Sequence, residues 1–234
     1  MQRVYQVSDI GTVREKNEDS LTVFAPDMYA VADGMGGHAG GEVASALAVK
    51  TVQTQLAETS LREDHLRRAV LAANRAIFET ALAHREYYGM GTTLTVLHIE
   101  EGVAYWAHVG DSRLYLFRDG ALRQITRDHS LVEDLVEEGS ITREEAQFHP
   151  QRNIITRAVG TEPDVVVDTG TFPLCHGDSL MLCSDGLTSA ATDEEIRKVL
   201  AEDHREDKAA ALVERALALD SQDNISVIVV CYEI

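Results

Sequence analysis

The segment between residues 28 and 41 constrains the fold more than any other part of the chain. Residues 28–32 form an uninterrupted apolar run, Asp33 follows it, and glycine occupies five of the next eight positions. An apolar run of this length predicts a buried strand. Glycine lets the backbone come close to a bound group, because it has no Cβ. A helical pattern begins at Glu42, so we expect a ligand site between a buried strand and a helix.

Length and composition predict one domain that spans residues 1–234. Hydrophobic residues make up 44% of the 234 positions, which is enough for a substantial core. No stretch has the Gly, Ser or Pro content of a linker. The apolar runs are no longer than a strand, and the first residues lack the pattern of a signal peptide. We therefore expect a cytoplasmic protein without a membrane span.

The formal net charge of −18 argues against nucleic acid and anionic membranes as partners, because both require a basic surface. The three cysteines, Cys175, Cys183 and Cys231, include no Cys-x-x-Cys pair. This argues against a disulfide framework and against a thiolate zinc site. An anionic substrate would need local positive charge on so acidic a protein, and bound metal ions would supply it.

The order of the predicted elements indicates a segregated α+β protein. Strands come first, two helices follow between residues 42 and 81, and four short strands lie between residues 91 and 125. Short helices between residues 128 and 157 lead to strands at 165–168 and 179–183, two more helices and a last strand at 224–232. Regular βαβ alternation is missing, so we expect helices that cover antiparallel sheets, with the last strand central. Ser/Thr-x-x-Glu sequences predict helix starts at Ser60, Thr142 and Thr192.

Several acidic residues share one context, because each stands at the end of a predicted strand or in a turn beside one. They are Glu18, Asp19, Asp33, Asp111, Asp185 and Asp223. Carboxylates that gather at one edge of a sheet repel one another unless cations bind between them. Oxygen ligands favour hard ions such as Mg²⁺ or Mn²⁺, and two such ions can activate a water for displacement at phosphorus. By contrast, Asp119-Gly120 has the signature of an ordinary hairpin turn.

A series of motifs, taken in order, carries a resemblance to a known family. They are Arg14-x-x-Asn17-Glu18-Asp19, the segment from Ala32 to Glu42, Gly91-Thr92-Thr93, Ala107-His108-Val109-Gly110-Asp111-Ser112-Arg113, Thr126-Arg127-Asp128-His129-Ser130, Ser184-Asp185-Gly186-Leu187 and Asp223-Asn224. Together they resemble the metal-dependent Ser/Thr protein phosphatases of type 2C, in their bacterial form. The match covers essentially the whole chain, and the ordered set is far more specific than any one of its motifs.

The resemblance implies a four-layer α-β-β-α sandwich, in which helices flank two central antiparallel sheets and a helical flap spans residues 131–156. It also implies a centre of two Mn²⁺ or Mg²⁺ ions and a weaker third ion. The implied ligands are Asp33 for both central ions, the Gly34 carbonyl for one, Asp185 and Asp223 for the other, and Asp111 with Asp185 for the third. Glu18 and Asp19 are implied to act mainly through metal-bound waters.

The implied reaction is hydrolysis of phosphoserine and phosphothreonine by direct attack of a metal-bridging water or hydroxide, without a phosphoenzyme. Arg14 matches the arginine that grips the substrate phosphate, a task suited to its planar fork of donors. A general acid must protonate the leaving oxygen, and His38 is the candidate. Three residues separate His38 from Asp33-Gly34, unlike the spacing in eukaryotic relatives. The alternatives for His38 are a turn residue or one that shapes substrate access.

Phosphorylated proteins are the implied partners, including the products of a Ser/Thr kinase, and we expect the chain to act as a monomer. Other functions fit less well. The sequence Gly34-x-Gly36-x-x-Ala39 fits a relaxed dinucleotide-binding fingerprint, but a second helix follows where that fold needs a parallel strand. The chain has neither the Cys-x₅-Arg of a thiol phosphatase nor the Gly-Lys of a P-loop. A degenerate phosphatase that only binds phosphoproteins stays as an alternative, although every expected acid and Arg14 are present.

Overall fold

Two antiparallel sheets make up the centre of the fold, in a computed structural model that describes residues 2–24, 27–36, 40–57, 63–202 and 207–233. The first sheet contains, in spatial order, β1 (Gln2–Asp9), β11 (Ile225–Tyr232), β10 (Ser179–Cys183), β7 (Arg113–Arg118) and β8 (Ala121–Gln124). The second contains β2 (Asp19–Phe24), β3 (Met28–Met35), β5 (Leu94–Glu100), β6 (Val103–Val109) and β9 (Asp168–Pro173), with β4 (Gly91–Thr92) beside β3. The last strand lies between β1 and β10, so its predicted central position is confirmed.

Helices cover the outer face of each sheet. The second sheet is covered by α1 (Gly40–Leu56) and α2 (Glu63–Ala83), and a 3₁₀ helix (Arg85–Tyr87) follows α2. Between β8 and β9 the chain forms α3 (Leu131–Glu137) and α4 (Arg143–Gln147). The first sheet is covered by α5 (Asp185–Thr188), α6 (Asp193–Leu200) and α7 (Lys208–Ala218). The predicted four-layer α-β-β-α sandwich is confirmed. None of the helices in the described ranges has the length and apolar character needed to cross a membrane.

The apolar character of residues 28–32 follows from their place between two layers. In β3, Met28, Ala30 and Ala32 pack with α1 and α2, whereas Tyr29 and Val31 pack between the two sheets. Side chains alternate between the faces of a strand, so a strand covered on both sides is apolar at every position. The same alternation holds in β11, where one face carries Val227 and Val229 and the other Ile228 and Val230.

Local sequence signals located two helix starts correctly. Thr142 and Thr192 each form a capping box, in which the threonine hydroxyl accepts from the N–H of the glutamate three residues later. The glutamate carboxylate accepts from the threonine N–H in return, so two backbone donors at the helix start are satisfied. The third predicted cap, Ser60, lies outside the described residues.

One predicted strand was wrong in its position. Residues 165–167 form no strand, and β9 begins at Asp168 and continues to Pro173. Its pairing with β6 places Gly170 opposite Trp106, where a Cβ would lie 2.6 Å from the indole ring. The position of this strand is therefore set by its pairing with β6, which needs a glycine opposite the indole, and not by the β-propensity of the sequence.

Backbone contacts join the two ends of the insert between β8 and β9. Ser130 pairs with Ile155 in an isolated antiparallel bridge. Beside it, the N–H of Thr156 donates to the carbonyl of His129 at 2.8 Å. The two ends of the insert therefore leave the sandwich side by side.

A buried histidine in β6 has a defined tautomer. In His108, Nε2 lies 3.0 Å from the carbonyl oxygen of Arg127, and Nδ1 lies 2.9 Å from the hydroxyl of Thr95. A carbonyl can only accept, so Nε2 carries the proton and Nδ1 accepts from Thr95. Burial, and secondly the ring of His129, lower the pKa of His108 to about 4. The ring is therefore neutral in the folded protein at neutral pH.

This histidine should make the folded state sensitive to acid. The pKa of His108 falls from 6.5 to about 4 on folding, so it contributes stability above pH 6.5 that is lost as the pH falls towards 4. Between pH 7.5 and 5, the free energy of unfolding should drop by about 2 kcal/mol more in the unaltered protein than in His108→Gln. Urea titrations at the two pH values measure the difference. Equal losses in the two proteins would contradict a buried neutral histidine.

Candidate metal centre

One pocket lies at the end of the sandwich where β3, β6 and β10 finish and β11 begins. Its volume is about 350 Å³. The structure brings together in its wall most of the residues singled out in the sequence: Arg14, Glu18, Asp33, Gly34, Asp111, Asp185 and Asp223. Residues up to about 200 positions apart thus meet. In an antiparallel sheet one strand ends where its neighbour begins, so residues that follow one strand lie close to residues that precede the next.

Asp33 is held by its backbone. Its N–H donates to the hydroxyl of Thr93 at 2.8 Å, and its carbonyl accepts from the N–H of Thr93 at 2.8 Å. The hydroxyl of Thr92 donates to the same carbonyl at 2.8 Å. The two threonines therefore satisfy the peptide groups of Asp33, which accounts for the Gly-Thr-Thr motif and leaves the carboxylate to face the pocket.

Gly34 has no room for a side chain. A Cβ there would lie 2.1 Å from the carbonyl oxygen of Gly41 and 2.5 Å from that of Glu18. The N–H of Gly34 donates to the same Glu18 carbonyl at 3.1 Å. The end of β3, the start of α1 and the loop before β2 meet here through their backbones, which only glycine permits. This contact brings Glu18 to the pocket.

Ser184 ties the start of β2 to the segment after β10. Its hydroxyl donates to Asp19 Oδ2 at 2.7 Å and accepts from the N–H of Ser226 at 2.9 Å. Asp185 follows Ser184, begins α5 and lines the pocket. Asp19 is buried behind these residues and does not line the pocket.

Asn224 fixes the loop that carries Arg14. Its side-chain N–H groups donate to the carbonyls of Ile10 and Lys16, both at 2.9 Å. Its Oδ1 accepts from the N–H of Glu18 at 2.8 Å. One amide at the start of β11 therefore holds both ends of the segment between residues 10 and 18.

Arg14 brings positive charge to the pocket wall. Its Nη2 donates to Oδ2 of Asp223 at 2.6 Å. The side chain is 51% exposed, and a guanidinium has several N–H donors in a planar fork. Donors other than the one given to Asp223 can therefore face an anion in the pocket.

Burial of several acids in one place makes their ionisation costly. Burial, followed by the charges of Asp19 and Asp185, raises the pKa of Asp33 well above its usual value. Burial also raises the pKa of Asp19 to about 7 and that of Asp111 to about 8. The pKa of Asp185 is raised by burial and then by the charge of Asp223. The charged forms of these acids are therefore costly in the pocket unless positive charge reaches them.

The donors in this pocket fit hard divalent cations. They are carboxylate oxygens, and Oδ1 of Asp111 is buried without a hydrogen-bond partner. Within the described ranges, no three His, Cys, Asp or Glu side chains form a group that could hold a metal by themselves. An ion here therefore needs further ligands, such as the Gly34 carbonyl and water. Binding through one or two carboxylates with retained waters is the usual pattern for Mg²⁺.

Sequence reasoning found the acids but missed part of the wall. Met35, Gly36, Asn153 and Ile155 also line the pocket. The first two belong to the glycine-rich segment. The other two come from the insert between β8 and β9, the implied flap. The residues expected there to influence the choice of substrate were Arg143 and Gln147, and neither of them lines the pocket. His38, the candidate general acid, lies outside the described residues.

Comparison with known proteins gives consistent matches. The family described as protein phosphatase 2C matches residues 14–218. The chain is 38% identical over 234 residues to the serine/threonine phosphatase stp of Listeria monocytogenes, with 95% of this chain and 93% of that protein covered. The crystal structure of the Mycobacterium tuberculosis serine/threonine phosphatase PstP/Ppp superposes with a TM-score of 0.94 at 40% identity, covering 100% of this chain and 99% of that one.

A second similar structure contains metal. It is the catalytic domain of the serine/threonine protein phosphatase PstP in complex with two manganese ions, with a TM-score of 0.91 and 38% identity. The alignment covers 100% of this chain and 99% of that one. The resemblance based on the ordered motifs is therefore confirmed, and the chain belongs to the protein phosphatase 2C family.

Proposed function

We propose that this chain is a metal-dependent phosphatase that hydrolyses phosphoserine and phosphothreonine in proteins, including the products of a Ser/Thr kinase. The observation that carries the proposal is a single pocket that combines the guanidinium of Arg14 with the carboxylates of Glu18, Asp33, Asp111, Asp185 and Asp223. Membership of the protein phosphatase 2C family supports the reaction. The manganese ions in the PstP complex support the metal requirement.

The raised pKa values support metal binding, because bound cations would offset the cost of placing several carboxylate charges in one buried site. Among the described residues no three of these side chains lie close enough to hold an ion by themselves, so the assignment requires them to close around the metal. Asp33 and the Gly34 carbonyl would hold one ion, and Asp33, Asp185 and Asp223 would hold a second. Asp111 with Asp185 would hold a weaker third, and Glu18 and Asp19 would act through water. When bound, the two central ions supply a water acidic enough to attack phosphorus and positive charge for the phosphate oxygens.

Arg14 is assigned to the substrate phosphate. Its planar fork can donate two parallel hydrogen bonds to phosphate oxygens. Asp223 orients the guanidinium through the 2.6 Å hydrogen bond, and Asn224 fixes the loop beneath it. A phosphate held in one orientation reacts faster, because less freedom is lost in reaching the transition state.

The composition of the pocket supports direct hydrolysis without a phosphoenzyme. The described residues of its wall include no serine, threonine, cysteine or histidine that could accept the phosphoryl group, and its carboxylates, which could also accept it, are the groups assigned to the metal ions. Cys183, two residues before Asp185, is buried, and burial raises the pKa of its thiol to about 12. It therefore supplies no thiolate near neutral pH. His38 is retained as the candidate acid for the leaving oxygen, with a role in substrate access as its alternative.

We also propose that residues 131–156 form a flap on a single catalytic domain, residues 1–234, and that the flap selects protein substrates. The flap contributes Asn153 and Ile155 to the pocket wall. It also carries Phe148, which is 83% exposed. Phe148 does not line the pocket. An exposed aromatic side chain on the flap offers an apolar anchor to a protein substrate that extends beyond the pocket, whereas a small aryl phosphate is too short to use it.

The metal assignment predicts that hydrolysis of a phosphothreonine peptide requires Mn²⁺ or Mg²⁺ and stops when a chelator is added. Asp185→Asn removes a charged ligand and should lower kcat by about 100-fold or more. The matched control is Asp119→Asn, in the exposed turn between β7 and β8, which should keep full activity. Phosphate release measures both variants. Normal activity in Asp185→Asn would contradict the assignment, and phosphopeptide binding without hydrolysis by the unaltered chain would indicate a binding module instead.

The phosphate-binding role predicts that Arg14→Lys raises KM for phosphopeptides by about tenfold, since lysine keeps the charge but loses the fork. Inhibition by inorganic phosphate should weaken by a similar factor, because phosphate would use the same donors. Steady-state kinetics at saturating Mn²⁺ measure both quantities. An unchanged inhibition constant for phosphate would refute the role of Arg14.

The flap assignment predicts that Phe148→Ala raises KM for a phosphopeptide by roughly fivefold to tenfold, with less than about a twofold effect on an aryl phosphate. Tyr88→Ala is the matched control, because Tyr88 is similarly exposed, at 82%, but lies at the end of the 3₁₀ helix after α2 and not in the flap. It should leave both substrates unaffected. Equal losses of Phe148→Ala on the two substrates would rule out substrate selection by this residue.

A further inference from the structure

His129 makes contacts with several separate parts of the chain, although it does not line the pocket. Its backbone N–H donates to the carbonyl of Gly110 at 2.7 Å. Its ring accepts from the N–H of Gly110 at Nδ1, at 3.0 Å. Both hydrogen-bonding groups of one glycine are thus held by a single residue that lies 19 positions later in the chain.

The contacts of the ring define its tautomer. Because Nδ1 accepts from Gly110, Nε2 of the neutral ring carries the proton. Nε2 lies 3.2 Å from Oδ2 of Asp168, to which it donates. Arg157 donates to the other oxygen of Asp168 at 2.7 Å. The same nitrogen of Arg157 lies 3.0 Å from Nε2, but no hydrogen bond joins the two in this tautomer, because both are donors. The imidazole is therefore fixed at both nitrogens, with β9 on one side and the loop after β6 on the other.

Gly110 transmits this arrangement to a pocket acid. It has a φ of +111°, and a Cβ there would lie 2.6 Å from the side chain of Thr93. The next residue, Asp111, lines the pocket, and its Oδ1 is buried without a partner. A shift of the Gly110 peptide would turn the Asp111 carboxylate away from its present direction.

The same histidine anchors the flap. Its carbonyl accepts from the N–H of Thr156 at 2.8 Å, and the next pair along, Ser130 and Ile155, forms the bridge at the flap base. Ile155 is itself part of the pocket wall. Ile155 is therefore next in the chain to Thr156, whose N–H is bonded to the histidine that holds Gly110.

We propose that His129 is a positioning residue, which sets the Asp111 carboxylate and the pocket-facing side of the flap in one shared arrangement. The inference rests on the proposed function for its kinetic consequence, but its structural part concerns hydrogen bonds that are present in the chain alone. Loss of the Nδ1 acceptor should release the segments at Gly110 and at the flap base together.

Two substitutions test the contacts of the two ring nitrogens separately. The carboxamide of His129→Asn places an oxygen where Nδ1 stands, so the bond from Gly110 is kept and the contact with Asp168 is lost. The longer side chain of His129→Gln places an amide near Nε2, so the contact with Asp168 is kept and the bond from Gly110 is lost. Amide hydrogen exchange of the metal-free variants tests the proposal without depending on activity.

In His129→Gln, amide exchange of residues 109–113 and of residues 153–157 should accelerate by about tenfold or more relative to β3. In His129→Asn, the exchange rates of both segments should stay within about twofold of those in the unaltered chain. The value of kcat for an aryl phosphate should fall in His129→Gln by about tenfold and be rescued in His129→Asn. Acceleration in only one segment, acceleration spread evenly over the chain, or no acceleration would each overturn the proposal.

A measurement on the unaltered chain covers the case in which His129→Gln fails to fold. The amides of Gly110 and Thr156 should show equal protection and the same dependence on denaturant, because both depend on His129. Different dependences would overturn the coupling. Absence of phosphatase activity in the unaltered chain would refute the proposed function, and the exchange pattern would still decide the role of His129.

Discussion

Repulsion among buried carboxylates is the constraint on which the rest of this structure depends. Asp33, Asp111 and Asp185 come from separate parts of the chain and meet in one pocket, and burial raises the pKa of each of them. A cluster of this kind is unfavourable unless cations compensate it. The sandwich tolerates it because three layers of apolar side chains, one between the sheets and one beneath each helical layer, stabilise the fold independently.

The acids keep their directions because other polar groups hold the backbone around them. The hydroxyl of Thr93 and its N–H bind the peptide of Asp33, and the amide of Asn224 binds the loop before β2. His129 does the same for Gly110. Each of these groups satisfies backbone donors and acceptors and leaves carboxylate oxygens for other ligands. Thr93 and His129 thus hold the backbone from outside the pocket, whereas Asn224 does so from its wall.

Several elements could be predicted from local sequence because their causes are local. The capping boxes at Thr142 and Thr192 depend on residues three positions apart, and the apolar run at residues 28–32 reflects burial on both faces. Strand β9 was misplaced, because its pairing with β6 depends on the fit of Gly170 against Trp106. Asn153 and Ile155 were missed as pocket residues for a similar reason: nothing in the flap sequence shows which side faces the pocket.

By itself, the sequence determined the burial of the central strands, the chemical identity of the acids and the ordered motifs that identify the family. These depend on residue type and spacing along the chain. Only the tertiary structure decided how the site is held, because Ser184 reaches Asp19 across 165 residues and Asn224 reaches Glu18 across 206. Contacts over such separations depend on how the two sheets stack and pair, and no local pattern encodes that arrangement.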